Sequence, residues 1–267
     1  MRPYPAWLLF LLPLAFALSD ACMAAPGKAP EHAAPWPLVV EGAAPLHVLI
    51  AAIGDEQPVF DRFVDDLSRR LDGLDLAIVT TASASGHVGR RLDTPDDVYA
   101  AIRGLRAGDS GGCLVYFTGH GTPDGMSLPL HASGVPAQRR RYASLRVTEV
   151  QAALRDGCGD APTVVVLSAC YSGVYLRPVM RRPNRIVMTA AAADRTSFGC
   201  GNDETHTYYD GCFLRSFDAA ATWRQLAART SACVARLERT LLPGERPSKP
   251  QAWFGNRVRD LPLRARR

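Results

Sequence analysis

Lysine is almost missing from this chain. Lys28 and Lys249 are the only two among 31 basic residues, so the formal net charge of +5 is carried by arginine. The arginine clusters are Arg139-Arg140-Arg141, Arg181-Arg182 and Arg264 to Arg267. They fall in segments read as loops and a tail, with no interleaved aromatics and no recognisable nucleic-acid module, so no nucleic-acid partner is expected. Metal spacing is absent too: there is no Cys-x-x-Cys pair and no His-x-x-x-His, so neither a zinc site nor another cofactor is expected. No internal repeat is present. The longest apolar stretch, Trp7 to Leu18, is too short for a membrane span and contains Pro13, so no stable span is expected.

What the chain does have is apolar content. At 47% hydrophobic over 267 residues there is enough to build a core, and disorder is excluded as the main state. One domain plus terminal extensions is the natural reading. Residues 1–24 read as a secretory signal peptide: Arg2 first, then the apolar run, then small residues with a cleavage point after Ala24. A lipid anchor on Cys22 is the alternative, and Asp20 weighs against it. Residues 25–44, rich in Ala and Pro, read as a linker, 45–257 as the folded domain, and 258–267 as a basic tail. Export implies an oxidising compartment. Among seven cysteines, Cys113, Cys158, Cys200, Cys212 and Cys233 are then the candidates for disulfides. Cys113 opens one predicted strand and Cys158 lies just before its predicted neighbour, so the two could meet.

Apolar runs at Leu46–Ile53, Leu74–Thr81, Leu114–Phe117, Val164–Leu167, Arg185–Ala190 and Pro250–Val258 predict about six strands. Helices are predicted after Pro58, with Phe60, Phe63, Val64, Leu67 and Leu71 on one face. Others are predicted from Thr94-Pro95-Asp96-Asp97, from Thr148 to near Gly157, and over Thr222 to Leu242. Strands alternating with helices give an α/β fold: a mostly parallel sheet with helices on both faces.

Two of these strands end alike. Leu114 to Phe117 runs into Thr118-Gly119-His120-Gly121, and Val164 to Leu167 into Ser168-Ala169-Cys170-Tyr171-Ser172-Gly173. If the strands are parallel neighbours, His120 and Cys170 emerge together at the carboxyl edge, where open α/β sheets build their sites. A thiol and an imidazole there can carry out nucleophilic acyl transfer. The backbone amides of Gly121 and Cys170 are the candidate oxyanion donors. Taken singly, His120 is a turn histidine and Cys170 a core thiol; the pairing of two matching strand ends favours catalysis.

The blocks Tyr116-Phe117-Thr118-Gly119-His120-Gly121 and Ser168-Ala169-Cys170-Tyr171-Ser172-Gly173 resemble the legumain-like (C13-type) family of cysteine peptidases, in its bacterial secreted branch. The resemblance continues through Thr189 to Cys200 and Thr207-Tyr208-Tyr209, and more weakly through Pro250 to Gly255. It implies a caspase-type fold, Cys170 as nucleophile, His120 as general acid/base, and a peptide or protein substrate. It also implies a substrate pocket, and there this chain departs from the pattern. Ser168 stands where legumain has an acidic residue. The pocket's arginine falls near Gln57, and the family's orienting asparagine near Asp55. Thr196 and Ser197 match the hydroxyl pair on the pocket wall. The distal carboxylate falls at Gly211, with Asp210 one residue early: an inward-pointing Asp210 predicts tolerance of Arg or Lys before the scissile bond, an outward one a solvated loop carboxylate. The resemblance implies an exported endopeptidase. A transamidase using the same acyl-enzyme, or a binding protein retaining the fold, are the alternatives.

Overall fold

The computed structural model describes residues 45–54, 57–72, 77–107, 111–130, 141–201 and 203–263. The expected signal peptide (1–24) and linker (25–44), with Asp55 and Gln138 to Arg140, lie outside the described residues.

The strands β1 (Leu46–Ala52), β2 (Ala77–Ser83), β3 (Arg90–Arg91), β4 (Gly112–Thr118), β8 (Thr163–Ser168), β9 (Arg185–Thr189) and β10 (Gln251–Phe254) form one sheet. Its order is β10-β9-β8-β4-β1-β2-β3. Every pairing is parallel except β10 against β9. The sheet thus has seven strands rather than about six; the addition is the two-residue β3, too short to leave a periodic signal. Alternation along each strand splits the core into two layers. Val48, Ile50, Leu114, Tyr116, Val164 and Val166 face one side, and Leu49, Ala51, Val115, Phe117, Val165 and Leu167 the other.

Helix α1 (Pro58–Asp72) covers the first layer with Phe60, Phe63, Val64, Leu67 and Leu71, joined by α4 (Tyr208–Phe217) and α5 (Trp223–Leu241). Helices α2 (Pro95–Arg103) and α3 (Val147–Cys158) cover the second. Thr94 and Asp97 form the capping box that starts α2. A disulfide ties Cys113, at the start of β4, to Cys158 on α3; a second joins Cys212 on α4 to Cys233 on α5.

Three features differ from the sequence expectation. The stretch after His120 carries a second, antiparallel sheet of β5 (Gly121–Thr122), β6 (Gly125–Leu130) and β7 (Arg141–Leu145). Residues 208–217, for which no helix was expected, form α4, capped by the Thr207 hydroxyl accepting from the Asp210 amide. The expected basic tail packs as far as its described residues reach: Val258 and Leu263 are buried, and the Leu263 amide bonds the Ala221 carbonyl. No described helix is long and apolar enough to cross a membrane.

Candidate active site

The last rung between β4 and β8 pairs Thr118 with Ser168. Two residues beyond each lie His120 and Cys170, so the sheet itself brings imidazole and thiol to one edge. Both crossings are close. A Cβ on Gly119 would stand 2.8 Å from the Gly54 nitrogen, and one on Gly121 would stand 2.1 Å from the Cys170 carbonyl oxygen. Only glycine lets the His120 loop lie against the Cys170 backbone this way.

His120 is held from several directions. Gln57, just ahead of α1, presents its side-chain oxygen to Nε2 at 2.7 Å. Phe60, one turn into α1, meets the ring edge-on with centroids 5.2 Å apart. The His120 carbonyl accepts from the Ser127 amide of β6 at 3.0 Å. The second sheet therefore clamps the histidine loop. It is pinned in turn to the nucleophile side: the Tyr175 hydroxyl accepts from the Met126 amide and donates to the Leu145 carbonyl. Tyr175 lies in the 3-10 turn Ser172–Leu176 that follows Cys170. Burial pushes its phenol far above the usual range, so it stays a neutral donor.

Cys170 is half-buried and free of disulfide. The Ser197 amide donates to its Sγ at 3.3 Å, and the Ser197 carbonyl and hydroxyl oxygens lie 3.6 Å away. The next residue, Tyr171, is left-handed with φ of 56°, and its amide bonds the Arg195 carbonyl at 2.7 Å. Non-glycine residues in this region are few, and they concentrate where structure fixes a reactive group. Among the described residues Cys200 is the other free thiol. Burial first, and then the neighbouring Cys170, push it up, which keeps Cys200 protonated and unreactive.

The expected pocket residues disperse. Ser197 touches the Cys170 sulfur, and Thr196 beside it is exposed. Gln57 bonds His120 instead of standing in for a pocket arginine. Ser168 is buried, and its hydroxyl faces Asp210. Asp210 matches neither reading that the sequence leaves open. It is 0% exposed on α4, and its two oxygens accept from Tyr116 at 2.8 Å and Thr118 at 2.6 Å. It is neither a solvated loop carboxylate nor a carboxylate open to a substrate cation. The Gln57 contact was not legible in sequence, because it joins a loop residue to a partner far along the chain. The Asp210 contacts had one signal, the Thr207-x-x-Asp210 spacing that opens a helix. Two clefts of about 340 and 450 Å³ share His206, Gly211 and Arg215, and neither includes His120 or Cys170.

A parallel sheet with a histidine and a cysteine on adjacent strand ends is the frame of the caspase-type peptidases. A solved structure bears this out for the fold: the crystal structure of caspase-1 from Spodoptera frugiperda is similar with a TM-score of 0.54 at 13% identity, over 84% of this chain and 92% of that one. A search of curated protein sequences finds no match. The model of the peptidase C13 family matches residues 93–232, a segment that holds both His120 and Cys170. The chain belongs to the peptidase C13 family, with the caspase-type fold, and is a cysteine peptidase.

Proposed function

We propose that the chain is an exported cysteine endopeptidase acting through a Cys170 thioester. The observation that carries this is the last β4–β8 rung, which delivers His120 and Cys170 to one edge with Gly121 packed on the Cys170 carbonyl. The Cys170 sulfur, as thiolate, attacks the scissile carbonyl carbon. The negative charge that moves to the carbonyl oxygen is met by the amides of Gly121 and Cys170, each such donor being worth about 3–4 kcal/mol. As the C–N bond breaks, His120 gives its proton to the leaving amine. It then takes a proton from water, whose oxygen attacks the thioester and frees the new carboxyl end and the Cys170 sulfur. With the Gln57 oxygen accepting from Nε2, this proton traffic falls to Nδ1.

Two disulfides and a signal-like N-terminus support export, since such bonds persist in oxidising compartments. The substrate is a peptide or protein. With both Asp210 oxygens taken, the residue before the scissile bond is read by the neutral hydroxyls of Thr196 and Ser197, and the preference is broad, without a premium on Arg or Lys. The test is digestion of a defined peptide mixture in ¹⁸O water, read by mass spectrometry. Internal cuts, each adding one ¹⁸O to a new carboxyl end, are expected. Trimming from the termini alone, or joined peptides without label, would contradict the reading.

A further inference from the structure

A buried carboxylate with no part in the chemistry lies directly under the catalytic edge. Asp210 accepts from Tyr116 at 2.8 Å and from Thr118 at 2.6 Å, both on β4. The Ser168 hydroxyl, at the end of β8, faces the same carboxylate. Thr118 and Ser168 are each other's register partners in the last rung of the two strands. Beyond that rung the chains leave the sheet as Gly119-His120 and Ala169-Cys170. A single buried carboxyl group on α4 thus reaches the last residue of both strands at once, and α4 holds it there through its own cap at Thr207.

The position is a poor one for stability alone. Burial pushes the Asp210 carboxyl above its ordinary value, against the pull of its hydrogen bonds, so desolvation outweighs the partners. An apolar side chain packed against Tyr209 and Phe213 would suit the core better, as buried charges often give way to hydrophobic replacements without loss. What the carboxylate adds is direction. It accepts from Tyr116 and Thr118 on β4 and faces Ser168 on β8, beside the last backbone link between the two strand ends, the Gly119 amide to the Ser168 carbonyl at 3.1 Å.

We infer that Asp210 is a positioning residue that clamps the ends of β4 and β8 and thereby fixes His120 relative to Cys170. This rests on the proposed thioester reading for its kinetic consequence, though the clamp itself is a geometric claim. A misplacement of about 1 Å between reacting groups costs on the order of a hundredfold in rate. The clamp therefore acts on kcat and leaves substrate binding alone.

The experiment compares wild type with Asp210→Asn, Thr118→Val and Thr118→Ser. Asp210→Asn keeps the shape and removes the anion; Thr118→Val removes one donor from the other end, and Thr118→Ser restores it. For Asp210→Asn and Thr118→Val, kcat should fall at least tenfold with KM within twofold, while Thr118→Ser stays near wild type. Independently of turnover, the His120 ring resonances, assigned by their loss in His120→Ala, should shift or broaden in the first two variants and not in Thr118→Ser. Unchanged kcat and unchanged His120 resonances in folded Asp210→Asn would overturn the clamp, and so would a change confined to KM or to sequence preference. Should Asp210→Asn fail to fold, the Thr118 pair decides in the same way. A wild type that hydrolyses no peptide refutes the thioester reading instead, and the resonances still decide the clamp.

Discussion

The two disulfides close loops of different length, and the structure sets what each should contribute. Cys113 and Cys158 are 45 residues apart in sequence, and Cys212 and Cys233 are 21 apart. Loop-closure entropy alone gives about 4 kcal/mol for the first and about 3 kcal/mol for the second. In a domain of this size roughly 2–4 °C accompany each kcal/mol, so melting should drop by roughly 8–16 °C and roughly 6–12 °C. The perturbation is the paired replacement Cys113→Ala/Cys158→Ala or Cys212→Ala/Cys233→Ala, which leaves no stranded thiol. Scanning calorimetry under non-reducing conditions reads the result. The first bond joins Cys113, the second residue of β4, to α3, at the sheet end away from Thr118. Activity of that variant well below its melting point should therefore match wild type. Equal melting of both double variants and wild type, or alkylation of Cys113, Cys158, Cys212 and Cys233 in the unreduced protein, would refute the reasoning.

Gly121→Ala places a methyl group 2.1 Å from the Cys170 carbonyl oxygen; such overpacking costs about 1–3 kcal/mol, and kcat/KM should fall about tenfold or more while far-UV dichroism is unchanged. Gln57→Glu puts a carboxylate on His120 Nε2, which favours the imidazolium that protonates the leaving amine, so the alkaline limb of the pH–rate profile should move to higher pH; an unmoved limb would show that Gln57 does not contact the working histidine. For Asp210 the folded carboxyl lies above the unfolded value of 3.8, so between those values the native state binds more protons than the unfolded one. Stability from this group is highest at acid pH and declines as pH rises through the folded value. The melting temperature of Asp210→Asn relative to wild type should therefore rise from pH 4 to pH 7, and a relative fall would contradict the assigned burial.

The central strands were legible because they are buried on both faces: Val48 to Ala52, Val164 to Leu167 and Ile186 to Met188 are unbroken apolar runs. The placing of His120 and Cys170 at adjacent strand ends was legible for the same reason, since each residue follows such a run across small residues. The second sheet was not: β6 holds Gly125 and Pro129, and β5 has only two residues, so no alternation reaches strand length. Helix α4 was hidden by Gly211 within its first turn and by reading 207–211 through its relatives' pocket. The contacts of Gln57 and Asp210 join residues 63 and 92–94 positions apart. They depend on how α1 and α4 cross the sheet edge, which no local pattern encodes.

The most direct test of the account is peptide hydrolysis by Cys170→Ala beside wild type, with both proteins shown to be folded by their melting curves. Removing the sulfur removes the only atom that can form the thioester, while the small side chain leaves the strand end in place. The account predicts cleavage by wild type and none above background by Cys170→Ala. Cleavage by Cys170→Ala at a rate comparable with wild type would contradict it.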